Sequence, residues 1–454
     1  CTGADVAMWS TNARFINGEL EIAGCPATTL AKEFGTPLFV VDQDDFVLRT
    51  RSWKSALESN FGNHAGTVYY AAKAFISVEV AKWLKEIGVG IDVCSGGELS
   101  VALTAGFPAD RIELHGNNKS EAEISQAITA GVGTIVADSL IELDRISQIA
   151  TSIGVTQKVL LRITPGVEAH THEFISTAHE DVKFGFSIAS GAAWNALIKA
   201  RGLHGISLKG IHCHIGSQIF ASEGFELAAK KLIELLAKYR SEFNEELPEL
   251  DMGGGYGIAY LDNETAFNPD DAMKNLAHVV KTHCQEFGLA MPRVSIEPGR
   301  AIVGPTTCTL YEVGTTKEVR LDGEKVRHYI SVDGGMSDNI RPALYGAHYS
   351  IALANRTPSS RTRNSRIVGK HCETGDILIS EVELSDDVKP GDLLAMPATG
   401  AYGRSMASNY NHLPRPAVVA VKDGTARVIL RRETAKDLLA LDVDEAPRSM
   451  KRGK

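Results

Sequence analysis

Short apolar runs alternate with amphipathic segments through residues 67–300. Eight runs have the length and apolar character of buried β-strands, at residues 67–71, 89–93, 111–115, 133–137, 158–163, 208–215, 249–252 and 293–296. The segments between them, such as residues 77–87 and 120–130, carry apolar residues at the three- and four-residue spacing of a helix. Eight alternating units predict an α/β fold, a parallel (β/α)8 TIM-like barrel, with a doubly wound sheet as the alternative.

The pattern changes after Pro305. Strand-like runs then follow one another with turns between them, at residues 307–313, 328–332, 365–368, 377–383, 393–396, 417–421 and 426–430. This pattern is typical of an all-β domain, either sandwich-like or barrel-like. Short strands at residues 14–17, 20–22 and 38–41 do not fit the barrel count, so we expect them to join the β domain. The predicted division is 1–45, 46–305 and 306–454, and the arginine-rich segment 355–366 is expected to be a solvated loop.

Composition narrows the class of protein. The 454 residues are 44% hydrophobic and 23% charged, as in soluble globular proteins with a sizeable core. A net charge of −9 argues against nucleic acid or an anionic membrane as the main partner. Seven scattered cysteines without a C-x-x-C pair fit a reducing cytoplasm. No apolar run reaches the roughly 18–20 residues of a membrane span.

Lys73 comes just after the first apolar run and just before a helical segment. This position puts one amine at the carboxyl end of the first barrel strand. A lysine attacks a carbonyl carbon only when it is unprotonated, and a partly desolvated, electropositive site lowers its pKa. We therefore predict that Lys73 forms an imine, although most lysines at strand ends are simply solvated.

Polar residues recur at the other strand ends, which face the active site in a β/α barrel. They are Asp92 with Ser95, His115 with Asn117, Asp138, Arg162, His214 with Ser217, the glycines Gly253, Gly254 and Gly255, and Glu297 with Arg300. Such a convergent set exceeds what packing alone requires. It predicts one functional site at this end of the barrel.

Two of these strand ends suit a phosphate group. Gly253, Gly254 and Gly255 have no Cβ, so their backbone N–H groups can approach one anion. Arg300, after the eighth strand, adds a guanidinium that can bind phosphate oxygens. Because the last two loops are the usual phosphate site of this fold, we predict a phosphate site there rather than a plain flexible turn.

A lysine, a phosphate site and a carboxylate together suggest pyridoxal 5′-phosphate as the cofactor. Its aldehyde would form a Schiff base with Lys73. Glu297 would keep the pyridine nitrogen protonated, which makes the ring an electron sink. His214 would lie flat on the ring face, and Ser217 would reach the phosphate.

Motifs along nearly the whole chain resemble the alanine-racemase-fold decarboxylases that use pyridoxal phosphate. In the first 300 residues they are YYAAKA at 69–74, IDVCSGGEL at 91–99, HGNNK at 115–119, KFGF at 183–186, HCHIGSQ at 212–218, DMGGGYG at 251–257 and EPGR at 297–300. Later motifs are VDGGMSDNIRPALYGA at 332–347, CETGD at 372–376 and ATGAY at 398–402. SDNIRPALYGA and CETGD are the features that resemble the diaminopimelate decarboxylases within this family.

The resemblance implies a role for each matching residue. Lys73, His214, Ser217, Gly253, Gly254, Gly255, Glu297, Arg300 and Tyr402 would bind the cofactor, and Arg300, Arg341, Tyr345, Glu373 and Tyr402 the substrate. Cys372 would be catalytic together with Lys73. Cys372 and Glu373 would come from the partner subunit of a homodimer with shared active sites.

The implied reaction is decarboxylation of meso-2,6-diaminopimelate to L-lysine and CO2, the last step of lysine biosynthesis. The spared carboxylate of this substrate needs cations and its spared amine an anion, which Arg300, Arg341 and Glu373 supply. Two alternatives remain open: a decarboxylase of ornithine or arginine, and a non-catalytic regulatory homologue. Arg341 with Tyr345 argues against the first, since a substrate without a distal carboxylate has no use for that arginine.

A metal site is the remaining alternative. His212 and His214 are two residues apart on one strand, a spacing found in metal-binding barrels. Apart from His115 and Asp138, which look isolated in the sequence, no further ligands occur at matching strand ends. We therefore predict no metal, and a metal-dependent hydrolase is the least favoured function.

Overall fold

The computed structural model describes residues 7–167, 183–220, 222–321 and 326–443. Its first elements form a small antiparallel sheet of β1 (Ala13–Ile16), β2 (Glu19–Ile22) and β3 (Cys25–Pro26). Helix α1 (Ala27–Phe34) and strand β4 (Leu38–Asp42) follow. Every residue of β4 is buried, so this strand belongs to an interior rather than to an edge.

The next strands form a parallel barrel. They are β5 (Ala65–Ala71), β6 (Gly90–Val93), β7 (Ile112–Leu114), β8 (Thr134–Ala137), β9 (Gln157–Thr164), the short β10 (Phe186–Ser187), β11 (Ile206–His212), β12 (Glu249–Asp251) and β13 (Arg293–Ile296). The ring closes because β13 pairs with β5 and β8 pairs with β9, while β10 only extends the edge of β9. All residues of β6, β7 and β8 are buried, as expected for parallel strands covered on both faces.

Helices surround the barrel. They are α2 (Gln43–Phe61), α3 (Val78–Ile87), α4 (Gly96–Thr104), α5 (Glu121–Ala130), α6 (Leu140–Ile153), α7 (Ala192–Gly202), α8 (Glu223–Phe243), α9 (Pro269–Glu286) and the short α10 (Arg300–Val303). Helices α3 to α6 each begin after a serine whose side chain accepts a hydrogen bond from a backbone N–H of the first turn, namely Ser77, Ser95, Ser120 and Ser139. These caps stop each loop close to the strand end, so the loops over the barrel stay short.

A β-rich region follows the barrel. It contains β14 (Thr307–Arg320), β15 (Val326–Val332), α11 (Arg341–Tyr345), β16 (Ala352–Leu353), β17 (Thr362–Val368), β18 (Ile377–Ser385), β19 (Leu393–Met396), β20 (Ala417–Lys422), β21 (Thr425–Leu430) and α12 (Ala435–Leu439). The main sheet has the order β18-β17-β15-β14-β4-β20-β21, and β19 pairs with β14 and β16. Strand β4 thus lies between β14 and β20, antiparallel to the first and parallel to the second.

The structure confirms the predicted fold class, a TIM-like barrel with a separate β-rich region. The pairings β13–β5 and β8–β9 exclude the doubly wound alternative, because an open sheet has two unpaired edges. Strand β4 joins the large sheet as expected, but β1 and β2 form their own sheet with β3 and touch the β-rich region through an isolated bridge between Glu19 and Asn355. The boundaries at residues 45 and 305 stay predictions.

The segment 355–366 is not a free solvated loop. Arg356 forms ion pairs of 2.7 Å with both Asp387 and Asp392, and β17 begins at Thr362 within the segment. The charged and turn-forming residues of this segment predicted exposure to solvent. The acidic partners of Arg356 lie far away in the sequence, so the sequence alone did not reveal these ion pairs. Among the described residues, no helix is both long and apolar enough to cross a membrane.

Candidate active site

A small cavity lies at the carboxyl end of the barrel strands. Its lining consists of Ala71, Lys73, His214, Ser217, Gly255, Tyr256, Glu297, Gly299, Arg300 and Tyr402. The structure therefore brings together seven of the residues predicted from the sequence. Tyr402 reaches the cavity from the β-rich region, so this region completes a site that the barrel begins.

The segment that carries Lys73 is held from the β-rich region. The carbonyl oxygen of Ala74 accepts hydrogen bonds from the backbone N–H of Tyr402 (3.0 Å) and from the hydroxyl of Ser405 (2.9 Å). On the other side, the N–H of Ala72 donates to the carbonyl of Asp92 on β6. Lys73 thus sits on a backbone fixed at both neighbours. The sequence analysis overlooked Ser405, since a serine after Tyr402 carries no signal of its own.

The pKa of Lys73 is raised rather than lowered as the sequence analysis expected. Burial by itself lowers the pKa of the amine, but the groups around it, Tyr402, Cys94, Asp92 and Glu297, outweigh burial and favour the ammonium form. The expectation of an electropositive site was wrong because it counted Arg300 and not these acidic neighbours.

The carboxyl group of Glu98 lies beside Lys73. The carboxylate accepts a hydrogen bond of 2.6 Å from the backbone N–H of Cys94. The backbone N–H of Glu98 donates to the hydroxyl of Ser95. Burial is the main cause that raises the pKa of Glu98 to about 7. A carboxyl group with this pKa can take up or release a proton near neutral pH.

Arg300 organises the opposite side of the cavity. Its Nη2 donates to the hydroxyl of Ser217 at 2.8 Å, and its Nη1 donates to the phenol of Tyr260. The guanidinium carbon lies 4.8 Å from the centre of the Tyr402 ring. The Nε of Arg300 is buried without a hydrogen-bond partner among the described residues, so this donor is available to an anion in the cavity.

The three predicted phosphate glycines have different surroundings. The N–H of Gly253 donates to Asp251 at 2.7 Å and that of Gly254 to Nδ1 of His214 at 3.3 Å, so both donors are already engaged. Gly255 lines the cavity, has a φ of +105°, and a Cβ there would lie 2.3 Å from the carbonyl oxygen of Gly216. Of the three glycines, Gly255 lines the cavity, whereas the N–H groups of Gly253 and Gly254 are engaged within the protein, and phosphate binding by these glycines stays a prediction.

His214 is neutral in this setting. Burial, Lys73 and Arg162 together hold its pKa well below the ordinary value. Its Nδ1 accepts from the N–H of Gly254, which leaves the proton on Nε2. A neutral imidazole fixed in this way can lie against an aromatic ring in the cavity.

The floor of the cavity is built from buried ionisable groups. Oε1 of Glu297 lies 3.0 Å from Nε2 of His115 and 2.9 Å from Nε2 of His212. Three further buried carboxyl groups, those of Asp92, Glu113 and Asp251, belong to the same layer of the barrel. The prediction that His115 is isolated was wrong, because spacing along one strand cannot reveal which residues of strands on different sides of the ring, here β7 and β11, meet inside the barrel.

His115, His212 and Glu297 offer three ligand atoms within 4.8 Å of one another, a spacing that a metal ion accepts. The prediction of no metal site therefore rested on an incomplete ligand set. Burial raises the pKa values of Asp92, Glu113 and Asp251, whereas the pKa of Glu297 is well below its ordinary range, because His115 and His212 outweigh the effect of burial. Glu297 is thus the carboxylate that keeps its negative charge at the cavity.

Of the predicted substrate residues, Arg300 and Tyr402 line the cavity, and Arg341 packs against Tyr260, a neighbour of Arg300. Nη1 of Arg341 donates to the phenol of Tyr349, and its guanidinium carbon lies 4.8 Å from the centre of the Tyr260 ring. Tyr260 also accepts from Arg300, so Tyr260 connects the two arginines. Nothing in the sequence pointed to Tyr260 and Tyr349, which lie just beyond the motifs at 251–257 and 332–347. Tyr345 is partly exposed at the end of α11.

Cys372 and Glu373 do not line this cavity. Both are exposed in a tight turn, where the N–H of Cys372 donates to Asn411 and Oε1 of Glu373 accepts from the N–H of Gly375. The turn is held by the buried pair of His371 and Asp376, whose Nδ1 and Oδ2 are 2.8 Å apart. A single chain therefore keeps these two residues on its surface in a fixed shape.

Comparison with known proteins gives one consistent family. Residues 43–304 match the model of the family described as "Pyridoxal-dependent decarboxylase, pyridoxal binding domain". A diaminopimelate decarboxylase of Mycobacterium tuberculosis is 53% identical over 441 residues, which are 96% of this chain and 98% of the relative. The diaminopimelate decarboxylase of Bacillus subtilis is 45% identical over 436 residues, with 96% and 98% coverage.

Solved structures agree with these relatives. The diaminopimelate decarboxylase of M. jannaschii in complex with L-lysine superposes with a TM-score of 0.89 at 32% identity, covering 96% of this chain and 98% of that one. The Helicobacter pylori enzyme with L-lysine gives 0.82 at 31% identity, with 91% and 98% coverage. A lysine/ornithine decarboxylase of Vibrio vulnificus, at 22% identity and a TM-score of 0.72, shares the fold.

The buried carboxyl group of Glu98 predicts a dependence of stability on pH. Its pKa is about 7 in the folded protein, against an ordinary value of 4.5, so the stability that Glu98 contributes is full below pH 4.5 and is lost as the pH rises through 7. Glu98→Gln stays neutral at every pH. We therefore expect the Tm of the variant to exceed that of the wild type by roughly 2–4 °C at about pH 8, and by much less at about pH 5.

Thermal unfolding followed by circular dichroism on the cofactor-free protein measures this difference. Glu86→Gln, which changes an exposed glutamate on helix α3, is the matched control. The difference between its Tm and that of the wild type should not grow with pH. A difference at Glu98 that stays constant from pH 5 to pH 8 would contradict the assignment.

Proposed function

The chain belongs to the pyridoxal-dependent decarboxylase family and, within it, to the diaminopimelate decarboxylases, and from this premise we infer what the cavity does. The chain decarboxylates meso-2,6-diaminopimelate to L-lysine and CO2, the last step of lysine biosynthesis. The identity of 45–53% over nearly the full length of the curated relatives is the observation that carries this conclusion. The reducing cytoplasm is the proposed compartment, because the six described cysteines are all free.

Pyridoxal 5′-phosphate fits the cavity as the cofactor. The cavity offers an amine at Lys73, a carboxylate with a strongly lowered pKa at Glu297, and a buried donor without a partner at Nε of Arg300. A side chain at position 255 would collide with the backbone of Gly216. Glycine is therefore required there, and it leaves the backbone accessible from the cavity. These groups therefore match the aldehyde, the ring nitrogen and the phosphate of the cofactor, all within one cavity.

We assign the cofactor contacts accordingly. Lys73 would hold the aldehyde carbon through Nζ, and Glu297 would hold a proton on the ring nitrogen. Ser217, Arg300, Tyr402 and the backbone at Gly255 would hold the phosphate, and the neutral ring of His214 would lie against the pyridine face. When bound, the cofactor supplies an electron sink for the pair left behind when the bond between Cα and the carboxylate breaks.

Proton handling falls to the residues around Lys73. Its amine is an ammonium in this site and must lose a proton before Nζ can bond to a carbonyl carbon. Glu98 interacts electrostatically with Lys73 and has a pKa of about 7, so its charge, and with it the environment of the amine, changes near neutral pH. Asp92 gives a second nearby carboxyl group, but burial raises its pKa as well.

Substrate selection depends on charges at both ends of the molecule. Arg341 is buried against two tyrosines and presents a fixed cation beside the cavity wall, suited to the carboxylate that is not removed. Tyr345 would support the same end. Glu373 would bind the distal amine, and Cys372 would act near the reacting carbon.

A homodimer with shared sites would bring Cys372 and Glu373 to the cavity. Both residues lie on an exposed, preformed turn of their own chain and do not line its cavity. A second copy that presents this turn would close the open side of the cavity and add the missing thiol and carboxylate. In such a dimer each chain would give one turn and receive one, as twofold symmetry requires.

The first test is CO2 release by the purified protein with added pyridoxal phosphate. We expect release from meso-diaminopimelate, with lysine as the product, and none from the L,L isomer, ornithine, arginine or lysine. Lys73→Ala should lose both this activity and the visible absorption of the lysine-linked cofactor. Release from ornithine or arginine would overturn the substrate, and silence across the panel would favour a regulatory homologue.

Arg341 should separate substrate binding from cofactor binding. Removing a buried, hydrogen-bonded cation from its anionic partner typically costs a factor of roughly 30 or more. We therefore expect Arg341→Ala to lower kcat/KM for meso-diaminopimelate by about that factor and to change the Kd of pyridoxal phosphate by less than about threefold. Arg341→Lys keeps the charge and should be intermediate. Equal losses in both quantities would place Arg341 in the cofactor site.

Subunit complementation tests the shared site. Lys73→Ala and Cys372→Ala homodimers should each be inactive or nearly so. After mixing and subunit exchange, half of the dimers carry both variants, and each such dimer has one intact site, so activity should return to roughly a quarter of the wild-type value. Activity that stays at the sum of the two variants would show that Lys73 and Cys372 of one chain act together.

A further inference from the structure

Beneath the proposed ring site lies a layer of six buried ionisable groups, of which only Glu297 lines the cavity. We propose that His115 is a positioning residue, an imidazolium that keeps Glu297 ionised and thereby lets Glu297 hold a proton on the cofactor's ring nitrogen, with His212 as a neutral second support. The inference rests on the proposed function. It extends that function to two residues that do not line the cavity.

The geometry singles out one oxygen atom. Nε2 of His115 and Nε2 of His212 approach the same Oε1 of Glu297, at 3.0 and 2.9 Å, and the two rings are 4.9 Å apart at an angle of 65°. Neither contact has the alignment of a hydrogen bond, since Oε1 has no hydrogen-bond partner among the described residues. The charge of His115 and the close approach of both imidazole rings therefore stabilise the carboxylate together.

The layer cannot hold all its charges. Asp92, Glu113, Asp251 and Glu297 are all at most 4% exposed, and ionising four carboxyl groups in so dry a place is too costly. Nε2 of His115 lies 3.0 Å from Glu297, 3.4 Å from Glu113 and 3.8 Å from Asp92, so one cation faces three carboxyl groups. Since Glu297 is the closest of the three and also touches His212, it is the carboxyl group that the cation favours.

The electrostatics of the individual groups agree with this division. Burial alone would lower the pKa of His115, but Asp92, Glu297 and Glu113 raise it well above the ordinary value, so the ring is an imidazolium. Burial lowers the pKa of His212 to about 4, with Arg162 and His115 acting in the same direction, so this ring is neutral at pH 7. Lys73, Cys94 and Glu98 also interact electrostatically with groups of this layer.

The consequence for the cofactor is direct. A ring nitrogen keeps its proton when the group it faces is an anion, and a carboxylate among other carboxyl groups stays an anion only if a cation offsets the burial. Without His115, the proton would move to Glu297, and the contact between Glu297 and the ring would lose its charge-assisted strength.

His115→Gln tests this role through binding, not activity. We expect the Kd of pyridoxal phosphate to rise roughly tenfold, the difference between a charge-assisted and a neutral hydrogen bond. The carbocyclic analogue of the cofactor, in which C–H replaces the ring nitrogen, cannot use Glu297, so its Kd should change by less than about twofold. His328→Gln, which removes a buried imidazole in the β-rich region, is the matched control and should leave both Kd values unchanged.

Two outcomes would overturn the proposal: equal weakening of both compounds, which indicates a merely structural role, or no weakening of either. In a Glu297→Gln background, His115→Gln should add no further loss for pyridoxal phosphate. Failure of the wild-type protein to bind pyridoxal phosphate at all would instead contradict the proposed function.

A second measurement needs no change at His115 and stays valid if that variant does not fold. In wild-type protein labelled with 15N in its histidines, one imidazole should keep both protons at pH values where an ordinary histidine has already lost one. In Glu297→Gln the same signal should titrate at lower pH, because one of the anions around the ring is gone. A wild-type spectrum without such an imidazolium would contradict the proposal.

Discussion

The cost of burying charge governs this structure more than any other constraint. Two imidazoles and four carboxyl groups lie almost completely out of water at one end of the barrel, and two of these carboxyl groups, Asp92 and Glu297, interact electrostatically with Lys73. Groups in such a place keep a charge only if an opposite charge lies within a few ångströms. The positions of Lys73, His115 and Glu297 are therefore not independent of one another, and a change in one alters the protonation of the others.

The β-rich region shares in this arrangement. Tyr402 lines the cavity, and the loop that carries it binds the carbonyl of Ala74 through two hydrogen bonds, next to the reactive amine. Arg341, from the same region, packs on Tyr260 of the barrel. The barrel alone thus lacks both the hydrogen bonds that hold the backbone next to Lys73 and one of the proposed substrate cations. A site at the end of this common fold therefore depends on an added region.

Sequence reasoning reached the fold and most of the cavity for clear reasons. Barrel strands buried on both faces produce continuous apolar runs, and residues such as Lys73, His214 and Glu297 follow those runs directly. Two kinds of residue escaped it. His115 and His212 come from β7 and β11, which are not neighbours in the ring, and closure of the barrel rather than any local pattern brings them to the same carboxylate. Ser405 acts through a backbone contact with Ala74, and residue type alone gives no sign of it.

The place of strand β4 has a consequence for how the chain is made. This strand comes early in the sequence but is flanked by β14 and β20, both of which are synthesised after the barrel. While the ribosome is still translating, β4 has two unpaired edges and an apolar surface that the barrel does not cover, which is the kind of segment prone to association with other chains. Its pairings are among the most distant contacts along the chain, so the large sheet can only be completed late, after release of the C-terminal strands.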